Sequence, residues 1–107
     1  MTTFDERERA FETKFAQDEA LRFRANARRN RFLGLWAAKK LGLVGPEAES
    51  YARTLVMTEV DNPGCDSAFE KVSADLKSEG IAESTDDIRH LMEAFTTQAL
   101  AEIQAGR

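Results

Sequence analysis

The sequence is poor in residues that cross-link or interrupt small domains. Its 107 residues include one cysteine, two prolines and six glycines. The lone Cys65 excludes an internal disulfide and the usual cysteine-rich zinc sites, and it fits the reducing cytoplasm. No apolar run approaches the length of about 18 residues that a membrane-spanning helix needs. The N-terminus is too densely charged for the apolar region of a signal peptide. The composition therefore predicts a cytoplasmic protein that does not insert into a membrane.

The alternation typical of β-strands is also missing, whereas apolar residues recur at helical spacing in four stretches. Glycine, proline and capping residues separate these stretches. The predicted helices span residues 1–41, residues 46–60, a segment from Asp66 or Ser67 to about Gly80, and most of the tail after Ser84. Their short connections favour antiparallel neighbours. We therefore predict a small all-α four-helix bundle.

The first predicted helix is too long for the domain that contains it. It would extend roughly 60 Å at about 1.5 Å per residue, beside an expected radius of gyration of about 13 Å. Its front carries Phe4, Phe11 and Phe15 within an arc of about 40°. These rings either pack back onto the bundle or dock on a partner. We expect residues 1–20 to project or be mobile in the free protein, since short isolated helices are marginal in water, and residues 21–107 to form the four-helix domain.

Charge divides the chain into a basic front and an acidic body. Residues 1–40 contain ten Lys or Arg against six Asp or Glu, and residues 41–107 contain five against thirteen. The acidic body argues against nucleic-acid binding. Residues 22–31 form an arginine collar without an acid: Arg22, Arg24, Arg28, Arg29 and Arg31. The collar is either a solvated face or a contact for an acidic protein surface or a phosphate group. Arg24, Arg28 and Arg31 fall on one side of the helix.

Residues 32–38 are apolar around the whole helix circumference. We expect Leu33, Leu35 and Trp36 to anchor the first helix in the bundle. No combination of residues indicates an enzyme or a metal site. His90 is the only histidine, Cys65 has no histidine near it in sequence, and Asp86 and Asp87 complement a helix dipole.

Two blocks of sequence resemble the ATPase inhibitor zeta subunit family of alphaproteobacterial F-type ATP synthases, formerly a domain of unknown function. The first block is Thr3, Phe4, Asp5, Arg7, Glu8, Ala10, Phe11, Glu12, Lys14 and Phe15. The second is Ala27 to Asn30 followed by Leu33 to Ala38. Arg31 and Phe32 stand where the family pattern leads us to expect lysine and leucine. The resemblance is close over residues 2–42 and looser afterwards, and it implies a four-helix domain with a mobile inhibitory N-terminus.

The resemblance implies an endogenous inhibitor of the F1-ATPase, not an enzyme. Its partners would be the alpha, beta and gamma subunits, and it would be held peripherally at the inner membrane through the F1FO complex. Its N-terminal helix would insert at a catalytic alpha/beta interface near the gamma stalk. The expected partner-binding residues are Phe4, Asp5, Arg7, Glu8, Phe11, Glu12, Lys14, Phe15 and Arg22.

An alternative function is an adenine-nucleotide-binding regulatory domain that senses the energy state. Arg24, Arg28 and Arg31 would then contact the nucleotide or, in the inhibitor, an acidic surface. No cofactor is expected beyond weak ATP or ADP binding.

Overall fold

The computed structural model describes residues 18–64 and 66–106. Its helices are α1 (Glu19–Lys40), α2 (Pro46–Asp61), α3 (Ser67–Ser78) and α4 (Thr85–Gln104). These ranges contain no β-strand. The predicted all-α four-helix architecture is confirmed. In the same ranges, no helix combines the length and the apolarity needed to cross a membrane.

Helix α1 begins at a side-chain cap. The backbone of Asp18 is extended, with φ −100° and ψ 102°, and its carboxylate accepts a hydrogen bond from the Leu21 amide. Aspartate favours this position because its oxygen satisfies an amide that has no partner within the helix. The prediction of one nearly uninterrupted helix from Met1 to Leu41 is therefore wrong at Asp18, where the N-cap of α1 lies. The residues before Asp18 lie outside the described ranges.

The other helix boundaries agree with the sequence prediction to within a residue or two. Gly42 and Gly45 adopt positive φ angles of 79° and 57° between α1 and α2, and Pro46 occupies the first turn of α2. Ser84 Oγ accepts a hydrogen bond from the Asp87 amide at the start of α4. These short-range signals are readable because each acts within one turn of the chain.

Helix α1 lies between α2 and α4 and runs antiparallel to both. Asn26 contacts Glu59 of α2, whereas Arg28 contacts Glu102 of α4. Near the other end of α1, Lys40 pairs with Glu83, just before α4. The core is formed by apolar side chains from all four helices, with Leu33, Leu55, Ala68, Val72, Leu76, Ile88 and Met92 at its centre.

The expected anchor segment contributes to this core unevenly. Leu33 is fully buried, Trp36 packs against the core while partly exposed, and Leu35 is partly buried. Gly34 lies between them on the side facing α2. A Cβ placed on Gly34 would stand 2.6 Å from the Cα of Ala52. The missing side chain therefore allows the backbones of α1 and α2 to approach closely.

Candidate partner-binding site at the start of α1

Most of the predicted partner-binding residues lie outside the described ranges: Phe4, Asp5, Arg7, Glu8, Phe11, Glu12, Lys14 and Phe15. Asp18, three residues after Phe15, is the first residue of the described ranges. Arg22 is exposed in the first turn of α1 and lines an open recess. The same recess is lined by Phe23 and Asn26 of α1 and by Glu59, Pro63 and Gly64 at the end of α2. The site next to the N-terminal segment is therefore built by α1 and the α2–α3 turn.

A buried carboxylate joins these two elements. Glu59 is only 2% exposed, and its Oε1 atom accepts hydrogen bonds from Asn26 Nδ2 and from the Gly64 amide, both at 3.1 Å. One oxygen therefore holds α1 and the α2–α3 turn at the same time. Burying a carboxylate is costly unless it is hydrogen-bonded and its charge is balanced, so the neighbouring groups matter.

Arg29 supplies the balancing charge through two asparagines. Its Nη1 atom donates to Asn26 Oδ1 at 3.3 Å, and Nε and Nη2 donate to Asn30 Oδ1 at 3.1 and 3.0 Å. Asn30 in turn donates to the Leu55 carbonyl at 3.1 Å. Burial lowers the pKa of Arg29, while the charges of Glu59 and Asp66 oppose that shift. Arg29 stays positive at neutral pH because guanidinium pKa values lie far above 7.

An ion pair between α4 and the residue that precedes α3 acts on this network through its charges. Arg89 of α4 makes two hydrogen bonds to the Asp66 carboxylate, at 3.2 and 3.0 Å. Its guanidinium carbon lies 3.8 Å from the centre of the Phe69 ring. The hydrogen bond from Arg89 lowers the pKa of Asp66, and the same bond raises the pKa of Arg89. We call the set Asn26, Arg29, Asn30, Glu59, Asp66 and Arg89 the polar junction.

The other collar arginines do not converge on one site. Arg24 is exposed, whereas Arg28 pairs with Glu102 of α4 at 3.2 Å and Arg31 with Glu49 of α2 at 2.9 Å. These three residues share the outer side of α1, which lies between α2 and α4. The ion pair of Arg28 reaches α4, whereas that of Arg31 reaches α2. Within residues 18–64 and 66–106, no group of three or more His, Cys, Asp or Glu side chains could hold a metal ion.

The sequence profile of the family described as ATPase inhibitor subunit zeta matches residues 1–102. The chain belongs to this family. Membership of the zeta family indicates an inhibitory subunit of an ATPase, which is a regulatory role. No curated protein matches the chain.

The sequence prediction missed the polar junction of this zeta-family chain. None of its six residues, Asn26, Arg29, Asn30, Glu59, Asp66 and Arg89, is among the predicted site residues. Asn26 and Asn30 are one helical turn apart in a basic segment, a spacing that places two amides on one face. Glu59 follows Ala52 and Leu55 at the spacing of the buried face of α2. These two patterns were the available signals for a buried polar network.

Proposed function

We propose that this chain inhibits ATP hydrolysis by the F1 sector of an F-type ATP synthase, using the residues that precede α1. The observation that carries the proposal is the extent of the family match, which starts at residue 1 and includes the whole segment ahead of the Asp18 cap. In this proposal, Phe4, Phe11 and Phe15 enter a cleft at a catalytic alpha/beta interface near the gamma subunit. The chain would then reside at the inner membrane through the F1FO complex.

The inserted segment would act by occupying space that the catalytic interface needs in order to close. Full burial of a phenylalanine contributes roughly 1.5 to 3 kcal/mol, and ordering a segment on binding costs roughly 2 to 5 kcal/mol. Three buried rings can therefore offset the ordering cost and still give reversible binding. Because hydrolysis in F1 is coupled to rotation of the gamma subunit, a wedge beside gamma would oppose both closure and rotation.

The described domain supports this mechanism by fixing where the segment leaves it. Asp18 caps α1, and the bond from Asn26 to Glu59 holds the front of that helix against α2. The exposed Arg22 lies beside this exit. An acidic rim on the partner would attract Arg22 and Lys14, mainly by raising the association rate.

ATP hydrolysis by purified F1 tests the proposal when the full chain is compared with two variants. One variant begins at Asp18 and keeps the cap of α1, and the other is Phe11→Ala. We expect the shortened chain not to inhibit. Phe11→Ala should raise the half-inhibitory concentration about tenfold or more, since about 1.4 kcal/mol corresponds to a factor of ten. Equal inhibition by the full and shortened chains would place the inhibitory surface on the bundle.

The nucleotide-sensing alternative has less support from the described contacts. Arg28 and Arg31 are both ion-paired, so a phosphate group would have to displace Glu102 or Glu49. Titration of the full chain with ATP and ADP, followed by the amide signals of Arg24, Arg28 and Arg31, tests this alternative. Unchanged signals at millimolar nucleotide would remove it.

A further inference from the structure

A second surface next to Asp18 has the properties of a docking site. Phe23, near the N-terminus of α1, is 37% exposed. Met57 and Val60, near the C-terminus of α2, are 45% and 46% exposed. The partly buried Ala27 and Val56 lie one turn from Phe23 and Val60, respectively. We call these five residues the α1–α2 face.

Both helices contribute residues to the same side of the α1–α2 pair. The ion pair between Arg31 and Glu49 crosses from α1 to α2 on this side. At about 100° per residue, Glu49, Val56 and Val60 lie within an arc of about 40° on α2. By the same rule, Arg31 and Ala27 lie within about 40° on α1. Phe23 and Glu59 line one recess, so the first turns of α1 and the last turn of α2 flank the same opening.

Exposed arginines accompany this face, although the body of the protein is acidic. Arg24 and Arg53 are exposed on the same two helices, and Arg22 lines the adjoining recess together with Glu19. Residues 41–107 contain only five Lys or Arg against thirteen Asp or Glu. An apolar face accompanied by exposed arginines complements a partner surface that is apolar and acidic.

The α1–α2 face lies next to the segment that precedes Asp18, and this position indicates which partner it would contact. The inhibitory segment of the proposed function ends at residue 17, and Asp18, Arg22 and Phe23 follow within about two helical turns. Whatever binds residues 1–17 must therefore present the rim of its cleft to this end of the bundle. We propose that the α1–α2 face docks on an acidic, partly apolar surface beside the F1 cleft that receives the N-terminal segment. This inference rests on the proposed function and adds a second contact to it.

The test uses the full chain and purified F1, with binding measured by calorimetry and inhibition measured in parallel. Two double variants alter the face: Met57→Glu with Val60→Glu, and Arg24→Glu with Arg53→Glu. Val44→Glu is the matched control, because Val44 is 77% exposed and lies in the α1–α2 connection at the opposite end of α1. Circular dichroism and thermal unfolding verify that each variant is folded. The arginine variants change only exposed side chains, so they keep the test valid if the glutamates at 57 and 60 disturb folding.

We expect each double variant to raise the Kd for F1 about tenfold or more, and Val44→Glu to change it less than about twofold. Inhibition at saturating concentration should stay complete, because residues 1–17 are unaltered. An unchanged Kd in both double variants would overturn the inference, as would an equal loss in Val44→Glu.

Three further outcomes bear on this inference and on the proposed function. Binding of the unaltered chain to F1 through the face, without inhibition, would refute the proposed function and leave the docking surface standing. A chain that does not bind F1 would refute both. If the double variants instead convert a dimer of this chain to a monomer, with the Kd for F1 unchanged, then the face joins two copies and the inference fails.

Discussion

Gly34 and Ala52 form a close backbone approach between α1 and α2, with 2.6 Å between a Cβ placed on Gly34 and the Cα of Ala52. The obstructing atom belongs to backbone and cannot rotate away. Leu55 Cδ1 would also lie at 3.1 Å from the added methyl group. The pair therefore sets the spacing of the two helices.

Gly34→Ala should consequently destabilise the bundle. Alanine favours a helix over glycine by about 1 kcal/mol, but a methyl group that forces two packed helices apart costs about 1 to 3 kcal/mol. We expect the cost to dominate, with a lower urea midpoint and a lower thermal midpoint. A gain of about 1 kcal/mol, as for an unobstructed helical glycine, would show that α2 can move aside.

Glu59→Ala should lower the free energy of unfolding by about 1 to 3 kcal/mol, because it leaves Asn26 Nδ2 and the Gly64 amide without their acceptor. Glu59→Gln keeps an acceptor oxygen and should cost less than the alanine variant. Urea unfolding measures both. Glu93→Ala, at an exposed position of α4, is the control and should change stability by less than about 0.5 kcal/mol. Equal effects at positions 59 and 93 would contradict a structural role for the Glu59 hydrogen bonds.

Arg29→Lys should also be destabilising, even though it preserves charge. The guanidinium donates to Asn26 and Asn30 together, and a single ammonium cannot reproduce that planar fork. We expect a loss of about 1 to 2 kcal/mol in urea unfolding, as for one or two hydrogen bonds. The same change at the exposed Arg53 should have almost no effect on stability. Tolerance of lysine at position 29 would mean that only its charge is required.

Tyr51 and Asp75 should make stability depend on pH. The Tyr51 hydroxyl donates to Asp75 Oδ2 at 2.7 Å, and Lys71 Nζ donates to the same atom at 3.0 Å. Burial acts to raise the pKa of Asp75, but these hydrogen bonds outweigh it and lower the pKa. Burial, followed by the hydrogen bond to Asp75, raises the pKa of Tyr51.

The directions of these two pKa shifts define the pH range in which Tyr51 and Asp75 stabilise the fold. The stabilisation from Asp75 is complete above the ordinary carboxyl pKa of about 4 and is lost as pH falls through its lower folded value. The stabilisation from Tyr51 is complete below about pH 10 and is lost as pH rises beyond it. Tyr51→Phe should therefore be less stable than the unaltered chain by about 1 kcal/mol near pH 7, and the difference should shrink at acidic and alkaline extremes. A difference that is constant from about pH 2 to 11 would contradict this linkage.

The helix boundaries could be predicted from sequence because their causes are local. Gly45 before Pro46, and Ser84 before Asp87, specify helix starts within a single turn. Asp18 could not be recognised in the same way. Helix-forming residues precede and follow it in the sequence, and the choice between helix and cap depends on where the rest of α1 is held.

The ion-pair partners of the charged residues could not be predicted without knowing how the helices pack. Arg28 and Arg31 are on one side of α1, yet one pairs with α4 and the other with α2, which no helical projection of α1 alone reveals. The burial of Glu59 likewise depends on Asn26, 33 positions earlier. The phenylalanines of the N-terminal segment stay a prediction, since they lie outside the described residues.

Two contacts with α2 set the orientation of α1. Gly34 packs against Ala52, and Asn26 donates a hydrogen bond to Glu59. The start of α1 lies about 22 Å from Gly34 along the helix axis, so a tilt of about 5° at Gly34 would move the start by about 2 Å. A substitution that weakens either contact can therefore change the direction in which α1 begins without altering any of the predicted partner-binding residues.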